Sequence, residues 1–325
     1  MRLAIVGAGA IGAYLGAKLS ASGQDVSLIA RGPHLREMQS NGIRVCSPEG
    51  DFSAHPLATD DFNKVGPVDF IFLTVKAHAL TEVSTKLGPL FDSNTAVISA
   101  QNGVPWWYFH LHGGIWEGTR LESVDPGGVI SNTIPPESIV ACIVYPSTSI
   151  VAPGVIQHVE GNRFSIGELN GATSDRCKQL STILTKAGLK SPIRSRIRDE
   201  LWTKLLGNLA FNPISALTRA TLSEIVTNTD TRTLVQAIMK EADAVATRLG
   251  VKIPITIERR IEAAGQVGKH KTSMLQDIEK KKPIELESLV GAVVELGEML
   301  NIPMPYTKMI YACTKLLAQS QTERE

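Results

Sequence analysis

Lys204, Asn208 and Asn212 recur every four residues, so a helix through them carries one polar stripe, with Leu205, Leu206, Leu209 and Phe211 on its other faces. An ammonium in one row with two amides sets a proton donor beside groups that both donate and accept hydrogen bonds. The same spacing also fits a solvated face on which Glu200 pairs with Lys204 one turn away. A second set of residues lies near the start of the chain. Gly7-x-Gly9-x-x-Gly12 follows a short apolar run at residues 3–6 and opens a small-residue helical pattern. Each glycine answers one steric demand: Gly7 the tight turn, Gly9 the close approach of backbone to a pyrophosphate, Gly12 the close packing of helix on strand. Gly7, Ala8, Gly9, Ala10, Ile11 and Gly12 therefore form a candidate dinucleotide-binding turn, where the helix start offers N–H groups and its positive dipole end to phosphate. The second strand, residues 25–30, ends in Arg31 rather than in the acidic residue that would hold a ribose 2′-hydroxyl. A guanidinium at that point grips a 2′-phosphate through two parallel hydrogen bonds, so the expected cofactor is NADP(H) rather than NAD(H).

At 325 residues the chain exceeds one ordinary core, and two domains are expected. Strand and helix patterns alternate through the first half. After Arg31 come a helix at 34–41, a hairpin at 43–56, and apolar runs at 70–75 and 96–99 that read as strands buried on both faces. Lys76 and Gln101-Asn102-Gly103 follow those runs directly, at the carboxyl edge where ligands bind in such sheets. Residues 139–168 alternate and contain Pro146, Pro153 and Gly154, which predicts antiparallel strands extending the sheet, and a helix at 174–187 and a short strand at Ile193 follow. From about Arg196 the pattern turns helical, with helices expected at 198–225, 230–249, 256–268, 273–281, 285–300 and 306–318. The fold class is thus an α/β Rossmann-type N-terminal domain, residues 1–195, with an all-α C-terminal domain, residues 196–325.

A hydrophobic content of 43%, a charged content of 20% and a net charge of +1 describe an ordinary globular chain and make no electrostatic case for nucleic acid or an anionic membrane. No run approaches the length of a membrane span. Cys46, Cys142, Cys177 and Cys313 are scattered, as free thiols in a reducing cytoplasm would be. His110 and His112 lack a nearby cysteine or carboxylate partner, so no metal is expected. Ser273 can cap a helix starting near Met274, and Glu285 can sit in the first turn of a helix that Pro283 helps to begin.

In order along the chain, GAGAIG, Lys76 after the third strand, Gln101-Asn102-Gly103, Trp202-x-Lys204 with Asn208 and Asn212, and Ser273-Met-Leu-Gln-Asp277 ahead of Glu285 resemble the ketopantoate reductase family. The resemblance spans nearly the whole chain. It implies NADPH-dependent reduction of 2-dehydropantoate to pantoate, a step toward pantothenate and coenzyme A, with hydride delivered to the 2-oxo carbon and Lys204 as general acid. It further implies Glu285 as a second catalytic residue that holds substrate and orients the lysine. Asn102, Asn208, Asn212 and Ser273 would contact the substrate, and Lys76 and Asn102 the cofactor, while Asp277 matches the motif without an assigned role. The chemistry is coherent, because hydride attack builds negative charge on the ketone oxygen and an ammonium both stabilises that charge and supplies the proton. The partners this implies are a small 2-oxo acid and, as the candidate assembly, a second copy in a homodimer. Two alternatives stand beside it: a related NADP-dependent 2-oxo or 3-oxo acid reductase with another substrate, and a non-catalytic NADP-sensing protein. The aromatic run Trp106-Trp107-Tyr108-Phe109 just after Asn102 has packing as its ordinary role, and would favour a bulkier 2-oxo acid if it lined the pocket.

Overall fold

The structure, a computed structural model, describes residues 1–322. The chain falls into two compact units, one made of Met1–Gln101, Trp106–Arg120 and Gly127–Ile197, the other of Asn102–Pro105, Leu121–Pro126 and the chain from Arg198 onward.

The first unit is α/β. It contains β1 (Arg2–Val6), α1 (Ala10–Ala21), β2 (Asp25–Ile29), α2 (Gly32–Asn41), β3 (Ile43–Cys46), β4 (Phe52–Ala54), β5 (Leu57–Thr59), β6 (Phe70–Leu73), α3 (Ala77–Ser84) and β7 (Ala96–Ser99). It continues with α4 (Val129–Thr133), β8 (Ile139–Val144), β9 (Ser147–Ala152), β10 (Val155–Glu160), β11 (Phe164–Glu168) and α5 (Asp175–Lys186). Seven strands form the main sheet in the order β11-β8-β7-β6-β1-β2-β5, all parallel except β11. Every residue of β6 and β7 is buried, as expected of parallel strands covered on both faces. Ile5, Leu15, Leu28, Phe72 and Ile98 are shared by one core cluster that joins this sheet to its helices.

Residues 139–168 depart from the sequence expectation. β8 and β11 extend the main sheet, but β9 and β10 leave it and pair with β3 and β4 in a second sheet of order β4-β3-β10-β9. Period-two alternation marks a half-buried strand without recording its neighbour, and the Tyr145-Pro146 break after β8 redirects the chain. Strand β5, three residues long, was not anticipated; it pairs with β2. Ile193 forms a single bridge to Ile166.

The second unit is helical. α6 (Ile197–Thr218) leads into α7 (Leu222–Thr227), α8 (Thr229–Arg248), α9 (Ile257–Gln266), α10 (Ser273–Glu279), a π-helical turn at Glu287–Gly291 continued by α11 (Ala292–Met299), and α12 (Pro305–Thr322). The helix expected at 198–225 is two helices. Arg219 adopts the left-handed conformation at φ 64°, which ends α6, and the Thr221–Glu224 capping box starts α7. In α8 the buried residues Val235, Ile238, Met239, Ala242, Val245 and Ala246 follow the 3–4 spacing that lays one face against a core. Among the described residues no helix is long and apolar enough to cross a membrane.

Candidate active site

In the first unit the chain leaves β1 through Gly7 at φ 100°, a conformation that favours glycine, and a Cβ there would also lie 2.5 Å from Val75 Cγ1. The Gly7 and Ala8 N–H groups donate to the Ile29 carbonyl at 3.1 and 2.9 Å, which ties the turn to β2. From the end of β6 the Thr74 hydroxyl donates to the Gly7 carbonyl at 2.8 Å. Gly12 is just as constrained, since its Cβ would overlap the Gly7 carbonyl oxygen and approach Thr74 Oγ1 to 2.5 Å. Gly9 differs. A Cβ there would meet only the Gly7 carbonyl oxygen, at 3.9 Å, so the packing of the protein itself does not require glycine. No side chain caps the first turn of α1 and no acidic residue lies in it, so its N–H groups suit an anion. Ala8 is buried, and Ala10 and Ile11 are half-buried, Ile11 against the core. These features fit a pyrophosphate laid over Gly9.

Arg31 is exposed at the N-cap position of α2, followed by Gly32 at φ 64° and Pro33. Its charge reaches Glu82 on α3, whose carboxyl is held below its ordinary range chiefly by a hydrogen bond from Lys86, with Arg31 adding a smaller pull. Lys76 is half-buried at the N-cap position of α3. Gln101 closes the carboxyl edge of β6 and β7 by donating from Nε2 to the Leu73 carbonyl (2.8 Å) and accepting from Ser99 Oγ (2.9 Å).

In the second unit the polar row lies on α6, with Lys204 and Asn208 half-buried and Asn212 only 5% exposed. Lys204 Nζ donates to Asn102 Oδ1 at 2.6 Å. Asn102 is held in place by its successors. Gly103 takes φ 88°, a Cβ on it would overlap the Ser288 carbonyl, and the Val104 N–H donates to that same carbonyl at 2.8 Å. The loop therefore rests directly on the π-helical turn, a departure from regular helix that recurs at functional sites. Among the described residues the side chains of Asn208 and Asn212 make no hydrogen bond. Burying an amide without a partner costs about 1–3 kcal/mol, which the polar groups of a ligand would offset.

Ser273 is exposed as the first residue of α10, and the capping role falls to Thr272 instead, whose hydroxyl accepts from the Leu275 N–H at 3.3 Å. Glu285 is half-buried and immediately precedes the helical start at Leu286 rather than lying within the first turn. Asp277 is half-buried in α10. The structure thus joins Asn102 to Lys204 by a hydrogen bond, aligns Asn208 and Asn212 with them on α6, and carries Ser273 and Glu285 in the same unit. The glycine turn, Arg31 and Lys76 belong to the first unit. Two supporting residues escaped the sequence reading, Thr74 and Ser288. Neither follows from a motif, although the Asn102-Gly103 pair signals a tight turn.

Trp106, Trp107, Tyr108 and Phe109 are at most 3% exposed and belong to the interior of the first unit, with Tyr108 and Phe109 edge to face at 5.0 Å. Their burial accords with the packing role ordinary for such a run. His112 is exposed with Nδ1 3.0 Å from the Gly113 carbonyl, and among the described residues no group of three or more His, Cys, Asp or Glu is arranged to hold a metal.

A largely parallel sheet with this glycine turn, continued by an all-helical unit, is a Rossmann-type architecture. Residues 3–106 match the family model described as ketopantoate reductase PanE/ApbA, and residues 196–318 match the model of its C-terminal part. The chain belongs to the ketopantoate reductase family and is an oxidoreductase acting on CH–OH groups. It is 48% identical, over 98% of both chains, to a 2-dehydropantoate 2-reductase of Mesorhizobium japonicum. A crystal structure from Ralstonia solanacearum MolK2 shares the fold at a TM-score of 0.94 and 36% identity, covering 99% of this chain and 98% of that one. The 2-dehydropantoate 2-reductase of Geobacter metallireducens GS-15 follows with a TM-score of 0.86 at 25% identity, covering 97% and 99%.

Proposed function

We propose that this chain reduces 2-dehydropantoate to pantoate with NADPH, with Lys204 as the general acid. The observation that carries the reading is the 2.6 Å hydrogen bond from Lys204 Nζ to Asn102 Oδ1, made by an asparagine on a loop fixed against Ser288. NADPH, when bound, supplies the hydride to the 2-oxo carbon. Asn102 holds one N–H of the ammonium and so aims the others. A second N–H can meet the carbonyl oxygen, where negative charge develops, and its proton completes the alcohol. Asn208 and Asn212 offer amides without protein partners to the substrate's carboxylate and hydroxyl. Ser273, relieved of capping by Thr272, contacts the substrate, and Glu285 holds it while orienting Lys204.

On the cofactor side, Gly7 to Gly12 would hold the pyrophosphate, Arg31 would grip the 2′-phosphate, and Lys76 and Asn102 would make further contacts. The free thiols of Cys46, Cys142, Cys177 and Cys313 accord with a reducing cytoplasm. The test is NADPH consumption by the purified protein with 2-dehydropantoate beside a panel of other 2-oxo acids, with the product identified by mass spectrometry. Saturable formation of pantoate, with 2-dehydropantoate giving the highest kcat/KM, is the expected result. Turnover confined to another acid would redirect the substrate, and none at all would leave an NADP-binding protein.

A further inference from the structure

The π-helical turn at Glu287–Gly291 departs from regular helix by a hydrogen bond that bears on the site. In an α-helix the Ala292 N–H would donate to the Ser288 carbonyl, four residues back. Here it donates to the Glu287 carbonyl, five back. The Ser288 carbonyl is thereby relieved of its regular partner, and it accepts from the Val104 N–H at 2.8 Å, two residues after Asn102. An α-helix through the same residues would offer that carbonyl to Ala292 rather than to the Asn102 loop. The π register thus turns helix backbone into a docking point for the asparagine that accepts from Lys204 Nζ at 2.6 Å.

Such turns are rare, and this one is braced by a side chain of its own. Glu287, its first residue, folds its carboxylate back over its last. A Cβ built on Gly291 would overlap Glu287 Oε2 and lie 3.4 Å from Tyr311 Cε2. The same carboxylate accepts from the Tyr311 hydroxyl of α12, whose oxygen is 2.7 Å from Oε2 and 2.9 Å from Oε1, and Lys315 Nζ stands 3.7 Å from Oε1. A hydrogen bond to a carboxylate is stronger than one between neutral groups, so Tyr311 pins the group that spans the turn. We infer that Glu287, clamped by Tyr311, is a positioning residue for the reduction. It holds the turn in the π register that frees the Ser288 carbonyl, and through Val104 and Gly103 it keeps Asn102 on Lys204. The inference rests on the proposed role of Lys204 as proton donor. Glu287 acts through Asn102 and not on the reacting atoms.

The experiment measures kcat and KM with 2-dehydropantoate and NADPH for Glu287→Ala and Tyr311→Phe, each alone and combined with Asn102→Ala. Glu287→Ala is expected to lower kcat about fivefold and Tyr311→Phe by less, with KM for NADPH within about twofold of wild type, as coupling within one network of contacts predicts. In the Asn102→Ala background the loss caused by Glu287→Ala should nearly vanish. An equal loss in both backgrounds, or none in the wild-type background, overturns the inference, because a merely structural clamp does not depend on the Asn102 side chain. Amide hydrogen exchange gives a readout that needs no turnover. In Glu287→Ala the Val104 amide is expected to exchange about tenfold faster, with the amides of β6 in the first unit as in wild type. A Val104 amide as protected as in wild type, or a rise shared by all amides, also overturns it. If wild type reduces no 2-oxo acid the functional reading falls, while the exchange comparison still decides whether Glu287 holds the Asn102 loop.

Discussion

The glycine turn of the first unit and the lysine row of the second both depend on backbone atoms coming unusually close, but they reach that closeness by different routes. At Gly7 and Gly12 the crowding atoms come from the turn itself and from Thr74 and Val75 at the end of the neighbouring strand. At Lys204 the partner lies 102 residues away in sequence, and Asn102 is delivered by Gly103 pressing on Ser288 of a third segment. One device is a local fold of strand, turn and helix; the other exists only once three distant segments of the second unit have assembled. The first can therefore lose a single contact and still be a turn, whereas the second loses its alignment when any segment shifts.

That contrast can be broken most severely at Gly103. Alanine there must hold φ 88° and overlap the Ser288 carbonyl, so Gly103→Ala is expected to destabilise by about 3 kcal/mol in thermal or urea unfolding and to release Asn102 from Lys204. Within the glycine turn the effects are smaller and divide by position. Gly12→Ala, which overlaps the Gly7 carbonyl, should lower stability by about 1–3 kcal/mol. Gly9→Ala should unfold close to wild type while weakening cofactor binding severalfold by calorimetry, because beyond its chain neighbours its Cβ meets nothing nearer than the Gly7 carbonyl oxygen at 3.9 Å. Equal unfolding curves for the two variants would dissolve the distinction between packing glycine and cofactor glycine. Arg31→Ala is expected to reduce the preference for NADPH over NADH about tenfold or more while leaving stability unchanged, as the loss of charge-assisted bonds from an exposed side chain should.

The smallest effect concerns acid stability and belongs to the first unit alone. Burial raises the Glu168 carboxyl, but the hydrogen bonds from Arg176 (2.7 and 2.6 Å) and the Ser174 hydroxyl (2.5 Å) outweigh it and leave the group below its ordinary range. A depressed carboxyl contributes stability that is fully present above the unfolded value of about 4.3 and is lost as pH falls through the folded one. Melting temperature followed downward through that range should therefore fall more steeply for wild type than for Glu168→Gln, and parallel curves would remove Glu168 from the account.

The sequence was most readable where geometry is local. The glycine turn, the buried strands β6 and β7, the hairpin of β3 and β4 and most helix breaks follow from residue types within a few positions of one another. It was least readable where a partner comes from afar. Alternation in residues 147–160 could not say which sheet β9 and β10 would join, and the single positive φ at Arg219 divided one expected helix into two. Ser273 and Thr272 are equally good caps by composition, and only the chain path selects Thr272. In the site the row of Lys204, Asn208 and Asn212 was visible as spacing. Its hydrogen bond to Asn102, the π-helical turn beneath Gly103 and the Glu287 carboxylate over Gly291 depend on tertiary assembly and left no periodic trace.

The account turns on Lys204 as the proton donor, and the most direct measurement is kcat for 2-dehydropantoate reduction in Lys204→Ala, taken with its melting temperature and NADPH affinity. A loss of about 10²–10⁴-fold in kcat, with folding and cofactor binding intact, is the predicted result. Turnover near the wild-type rate in that variant would contradict it.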